Sequence, residues 1–101
     1  MNNIIKKNID QIKELCVNHH VNSLHAFGSV CTDKFTDSSD VDLLISFEKM
    51  DHADYADNYF HVADQLENIL HRPVDLLTDK SLSNPFFIES INQNKLLIYG
   101  Q

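Results

Sequence analysis

Residues 28–42 read GSVCTDKFTDSSDVD, a polar stretch between two apolar segments. Gly28 is the one glycine inside the chain, because the other glycine is the penultimate residue. Glycine permits backbone conformations and close approaches that a β-carbon forbids, so Gly28 can turn the amide and hydroxyl of Ser29 toward a phosphate. Taken alone, a Gly-Ser pair is more typical of an ordinary turn.

Acidic residues close this stretch. Asp40 and Asp42 begin a predicted strand, where residues two apart lie on one face, about 6.6 Å from each other along the backbone. A third acid, Asp75, interrupts another apolar strand, where a carboxylate needs a metal, a donor or an exposed strand end. Mg²⁺ usually combines one or two carboxylates with substrate phosphates and water. The pattern favours a metal site of three acids opposite the Gly28 turn, although acids that merely mark turns and caps would also explain it.

The rest of the chain predicts a small mixed β-sheet flanked by helices, an α/β (α+β) fold in a single domain over residues 1–101. Apolar residues at helical spacing predict a helix over about residues 3–18 and a second one over 54–70. Asn84 and Pro85 are typical of a helix start. Short apolar segments predict strands at 21–27, 40–47, 74–78 and 95–99, the last of them at a sheet edge.

Charge and composition restrict the partners. The net charge is −7, from 15 acidic and 8 basic residues, which disfavours a nucleic acid polymer because binding to phosphates depends on Lys and Arg. The N-terminus lacks the apolar run of a signal peptide, and no segment approaches the ~20 apolar residues of a membrane span. We therefore expect a soluble, cytoplasmic protein. Cys16 lies on the apolar face of the first predicted helix and is expected to be buried.

The spacing of these residues resembles a known family. Gly28-Ser29, ten intervening residues and Asp40-Val41-Asp42 match the signature G-S-x10-D-x-D of the DNA polymerase β-like nucleotidyltransferase superfamily. Ser39 matches the serine common before the first aspartate, and PVDLL at 73–77 resembles the strand of the third carboxylate. The resemblance implies catalytic and metal-binding roles for Asp40, Asp42 and Asp75, two Mg²⁺ ions, and ATP as the substrate. It also implies nucleotide binding by Gly28, Ser29, Lys34 and Ser39.

At this length the chain is most similar to the minimal nucleotidyltransferases (MNT), which are commonly paired with a helical HEPN toxin. That resemblance implies an antitoxin that transfers AMP to a tyrosine hydroxyl of a cognate HEPN toxin, with which it would form a hetero-oligomer. A third possibility is nucleotide transfer to a small molecule such as an aminoglycoside. The short chain disfavours it, because little surface is left for a second substrate pocket.

One departure from the family pattern matters for these expectations. Many members read GSRARG, whereas this chain has Val30, Thr32 and Asp33 in place of two arginines and a glycine. The loss removes bidentate phosphate donors and leaves Lys34 as the one cation of the loop. It favours the alternative of a noncatalytic antitoxin that neutralises its partner by direct binding.

Other residues carry weaker signals. Six histidines show no ligand spacing, and such histidines are usually surface or core residues. Tyr55, Tyr59 and Phe60 recur at helical spacing and are expected to pack. If the chain binds a partner, this helix and the acidic stretch 51–64 are the expected contact surfaces.

Overall fold

A computed structural model describes residues 3–100 of the chain. These residues form four α-helices and four strands: α1 (Asn3–Lys7), α2 (Ile9–Asn18), β1 (Val21–Phe27), β2 (Val41–Phe47), α3 (His52–Leu70), β3 (Val74–Thr78), α4 (Pro85–Asn94) and β4 (Leu96–Tyr99). Short 3₁₀ turns follow β1 and β3, at Gly28–Cys31 and Asp79–Ser81. All four strands lie within or match the predicted segments.

The four strands form one mixed sheet in the order β3-β2-β1-β4. β1 is antiparallel to both β2 and β4, whereas β2 and β3 are parallel. The predicted fold class is confirmed, as is the position of β4 at a sheet edge. Because β2 and β3 run in the same direction, their first residues lie together at one end of the sheet, beside the last residues of β1.

One face of the sheet carries the main hydrophobic core. The helices α1, α2 and α3 pack there, and the buried residues come from helices and strands alike. They include Ile5, Ile12, Leu15, Cys16, Leu24, Leu43, Ile45, Val62, Leu66, Leu70, Leu76 and Ile98. Cys16 is fully buried, as expected, and burial raises the pKa of its thiol to about 12.

The opposite face is covered by α4 alone among the described helices. A smaller cluster of Phe27, Leu44 and Ile91 holds α4 against the strands. The side chains of β2 alternate between the two faces, so that Leu43 enters the main core and Leu44 the smaller cluster. Asp42 therefore shares the more open face with Leu44.

The prediction of one helix over residues 3–18 was wrong in one respect. The helix is interrupted at Asn8, which separates α1 from α2. The Asn8 side-chain amide donates to the carbonyl of Ile4 at 2.8 Å. The backbone amide of Asn8 donates to the carbonyl of Ile5, three residues earlier, at 3.2 Å, so a tighter turn replaces the regular α-helical bond at this position.

The other two predicted helices are present with clear caps. Asp51 accepts a hydrogen bond from the amide of Asp54, so α3 begins two residues before the predicted start. Asn84 accepts from the amides of Phe86 and Phe87 and caps α4 as predicted. Over residues 3–100, none of the helices has the length and apolar character needed to span a bilayer.

Candidate active site

The three candidate acids converge at one end of the sheet. Asp42 and Asp75 are paired in the register of the parallel strands β2 and β3, so their side chains leave the same face. Asp40 precedes β2, where the amide of Val41 donates to the carbonyl of Pro73 at 3.1 Å. This bond joins the two segments that carry the acids.

Electrostatics show that the three carboxylates interact. Burial raises the pKa of Asp42, and the charges of Asp75 and Asp40 raise it further. Asp40 and Asp75 are exposed, whereas Asp42 is partly buried. Negative charge is therefore concentrated around Asp42, and a bound cation would relieve the repulsion.

Gly28 lies directly against Asp42. Phe27, the last residue of β1, pairs with Asp42 on β2, and Gly28 then turns the chain with a φ of +73°. A β-carbon at this position would collide with the Asp42 carboxylate. Both the positive φ and the close approach require glycine, and they bring the Gly28–Cys31 turn beside the acids.

A cleft of about 370 Å³ separates this turn from α4. Gly28, Thr32 and Asp42 line one side of it. The α4 side is formed by Phe87, Ser90, Ile91 and Asn94. The α4 residues were not among the sequence-predicted site residues, and the one signal available was the exposed pair Phe86-Phe87 after the predicted helix start.

Val30 and Thr32, at the loop positions where many family members carry arginine, have structural roles in this chain. Val30 is 2% exposed and belongs to the main core. The hydroxyl of Thr32 donates to the carbonyl of Ser29 at 2.9 Å and accepts from the amide of Lys34 at 3.1 Å. Ser29 is partly buried and Lys34 is exposed. The turn is thus held by its own hydroxyl and by apolar packing.

Ser39 and Arg72 organise the segment that leads to Asp40. The Ser39 hydroxyl accepts from the amide of Thr36 at 3.0 Å. Arg72 donates to the carbonyls of Thr36 and Ser39, both at 3.1 Å, and its guanidinium carbon lies 4.6 Å from the centre of the Phe35 ring. The single arginine of the chain therefore holds this loop, a role that the sequence did not reveal.

The acids do not form a closed metal cage by themselves. Within residues 3–100, no three His, Cys, Asp or Glu side chains are already arranged to hold an ion. A cation at Asp40, Asp42 and Asp75 would take further oxygen ligands from a substrate or from water, which is the usual mode for Mg²⁺ with phosphates.

Comparison with known proteins identifies the family. Residues 10–101 match the family described as polymerase beta, nucleotidyltransferase, and the chain belongs to this family. The protein is a nucleotidyltransferase, and its resemblance to the minimal nucleotidyltransferases is confirmed. A relative from Methanocaldococcus jannaschii, assigned the name protein adenylyltransferase, is 33% identical, and the alignment covers 92% of this chain and 98% of that protein.

Two solved structures share the fold. One carries the assignment minimal nucleotidyltransferase, with a TM-score of 0.78, 24% identity and coverage of 95% of each chain. The other is described as a tri-AMPylated HEPN toxin of Shewanella oneidensis in complex with its MNT antitoxin. Its matching chain has a TM-score of 0.65 and 18% identity, and the match covers 95% of this chain and 72% of that one.

Proposed function

We propose that this protein is a metal-dependent adenylyltransferase that moves AMP from ATP to a tyrosine hydroxyl of a cognate HEPN toxin and thereby acts as its antitoxin. The observation that carries the proposal is the convergence of Asp42 and Asp75 on one face, with Asp40 close by and the Gly28 turn against Asp42. Similarity to a named protein adenylyltransferase and to the MNT chain of a toxin complex supports the same reaction.

The donor set suits Mg²⁺. All three candidate ligands, Asp40, Asp42 and Asp75, offer carboxylate oxygens, the ligands that this hard cation prefers. Two bound ions would lower the pKa of the attacking hydroxyl and neutralise charge on the triphosphate. Burial raises the pKa of Asp42, as do the charges of Asp75 and Asp40, and a bound cation would offset the repulsion among the three carboxylates.

The protein groups would act as follows. The amides and hydroxyl of the Gly28-Ser29 turn hold the triphosphate, with the exposed Lys34 and the partly buried Ser39 in the loop around it. The acceptor hydroxyl oxygen attacks the α-phosphorus of ATP, a new O–P bond forms, and the bond to the bridging oxygen breaks to release pyrophosphate. Asp75, exposed at the start of β3, takes the hydroxyl proton.

The cleft under α4 is the proposed place of the nucleoside. It adjoins both Gly28 and Asp42, which would hold the phosphates. Phe87 lies edge-on to Phe27, with ring centres 6.2 Å apart, and offers an aromatic surface to a base. Ser90 and Asn94 add polar groups along the same wall.

The test is transfer of label from ATP to the protein encoded by the adjacent reading frame, in the presence of Mg²⁺. The change Asp42→Ala should lower the rate by roughly a thousand-fold or more, because a metal ion contributes several kcal/mol to the transition state and each 1.36 kcal/mol is tenfold. Asp37→Ala, which removes an exposed acid from the same loop, is the control and should retain activity. Absence of label with the unchanged protein would contradict the proposal.

A second candidate is a noncatalytic antitoxin that neutralises its partner by contact. The observation that favours it is the loop without arginine, in which Val30 is used for the core. The two candidates separate when neutralisation of the partner is measured with Asp42→Ala. Neutralisation that survives this change would support the binding protein, and its loss together with the label would support the enzyme.

A further inference from the structure

A second cavity adjoins Asp75 on the side away from the Gly28 turn. This groove, of about 440 Å³, lies between α3 and β3. Tyr55, Tyr59 and Phe60 line its helix side. Its strand side is formed by Asp75, Leu76, Leu77, Thr78 and Ser81. Asp75 therefore belongs both to the acid cluster and to the wall of the groove.

The edge of β3 along this groove is partly protected against strand addition. The carbonyl of Pro73 faces β2, so the backbone groups of residues 74, 76 and 78 point outward. Side chains already bind three of these groups. The amide of Val74 donates to Glu67 at 2.9 Å, the Tyr59 hydroxyl donates to the carbonyl of Leu76 at 2.6 Å, and the Ser81 hydroxyl donates to the carbonyl of Thr78 at 2.8 Å. An edge protected in this way disfavours pairing with another strand.

The groove instead offers groups that bind side chains. Phe60 is 69% exposed and its ring centre lies 5.3 Å from that of Tyr59, so the two rings together form an aromatic surface at the groove. The Tyr55 hydroxyl is buried and has no hydrogen-bond partner among residues 3–100. Lys80 lies over the Tyr55 ring, 5.0 Å from its centre.

The charge of α3 favours a basic occupant. Asp57 and Asp64 lie one turn before and one turn after Phe60 on the exposed surface of α3. Within α3, acidic residues occur without any Lys or Arg. A second copy of this acidic chain would bring like charges together, whereas a partner with basic residues around an apolar side chain would be attracted.

We propose that the groove between α3 and β3 is the docking site of the acceptor protein. An apolar or aromatic side chain of the acceptor, flanked by basic residues, packs on Phe60 and Tyr59, and the hydroxyl to be modified then reaches Asp75. Recognition occurs through side chains and not through an added strand. The inference rests on the proposed adenylyl transfer and specifies how the acceptor is selected.

The experiment compares Phe60→Glu with Val17→Glu. Val17 lies on α2, outside the groove, and is 62% exposed, so the control adds the same charge at a similar exposed apolar position. The steady-state rate of AMP transfer from ATP to the protein of the adjacent reading frame is measured while the concentration of each substrate is varied in turn. Phe60→Glu should raise the KM for the acceptor about tenfold or more, as expected when an apolar anchor is lost, and leave the KM for ATP unchanged. Val17→Glu should change neither.

A second pair of changes tests the charge argument. Replacing Asp57 and Asp64 together by asparagine should raise the acceptor KM at low ionic strength and weaken its dependence on salt. An unchanged acceptor KM in Phe60→Glu would contradict docking of the acceptor in the groove, but it would leave the proposed adenylyl transfer standing. Absence of transfer by the unchanged protein would overturn the transferase, and the groove with it.

Discussion

The two faces of β2 have opposite compositions although they come from one run of seven residues. Val41, Leu43 and Ile45 point toward the helices and are completely buried. The alternate residues Asp42 and Leu44 point to the face that α4 covers in part. One face of the strand thus lies entirely in the main core, whereas the other combines a smaller apolar cluster with the candidate chemistry.

This comparison explains how a short chain can carry a crowded acidic site. The unfavourable burial of Asp42 is confined to one end of the sheet, and the main core lies behind it on the opposite face. Because a strand directs successive side chains to opposite faces, a change of one position moves a substitution from the core to the site. Four predictions test this separation.

The largest effect on stability is expected at Leu43. Leu43→Ala should lower the free energy of unfolding by about 3–5 kcal/mol, because the side chain is fully buried in the main core. Leu44→Ala, in the smaller cluster under α4, should cost less, about 2–3 kcal/mol. Urea unfolding of both variants measures the difference. Equal losses would contradict the division of the sheet into a stabilising and a functional face.

Gly28→Ala should lower both the stability of the protein and the rate of AMP transfer. An L-residue at a φ of +73° costs about 1–2 kcal/mol of stability, and the new methyl group would displace the Asp42 carboxylate, so transfer should fall as well. In the double variant Gly28→Ala/Asp42→Ala, the clash between the new methyl group and the Asp42 carboxylate disappears. The free-energy cost of the positive φ remains. Additive stability losses in this double-mutant cycle would show that the predicted contact is absent.

Asn84→Ala tests the helix that covers the functional face. Loss of the hydrogen bonds to the amides of Phe86 and Phe87 should cost about 1 kcal/mol. We also expect weaker ATP binding, because the first turn of α4 carries the aromatic wall of the cleft. Ser83→Ala, one residue earlier and exposed, is the control. Calorimetric titration with ATP and urea unfolding provide the two measurements.

The smallest effect concerns pH. The folded protein holds the pKa of Asp42 above its unfolded value, so the native state binds more protons between these two values and stability falls as pH rises through that window. Asp42→Asn removes this loss. The variant should therefore be slightly more stable than the unchanged protein at pH 7, and the gain should vanish below about pH 4. Unfolding in EDTA measures it, with Asp37→Asn as the control for net charge, and a destabilised Asp42→Asn would refute the assigned cause.

The sequence was sufficient for the parts of the molecule that depend on periodicity and local caps. The strands, the start of α4 at Asn84 and Pro85, and the proximity of Gly28, Asp42 and Asp75 follow from such patterns and from the resemblance to a family. The interruption at Asn8 was missed because the helical spacing of apolar residues continues across it. A local change from a bond four residues back to one three residues back leaves no mark in that spacing.

The missed features of the site depend on contacts between distant residues. Arg72 holds carbonyls more than thirty positions earlier in the chain, and Phe87 enters the cleft because α4 folds back over the sheet. The protection of the β3 edge likewise combines Tyr59 and Glu67 from α3 with Ser81 from the turn after β3. None of these pairings has a signature in a single sequence, since each requires the tertiary arrangement.

The hydrogen bonds from Arg72 to the loop before Asp40 have a consequence for the divergence of this sequence in evolution. The guanidinium holds the peptide oxygens of Thr36 and Ser39, and these oxygens are present whatever side chains the intervening positions carry. Substitutions at Asp37 and Ser38 leave these two bonds in place, whereas exchange of Arg72 for alanine would remove both. The contribution of Arg72 to the loop is therefore independent of the side chains at these two positions.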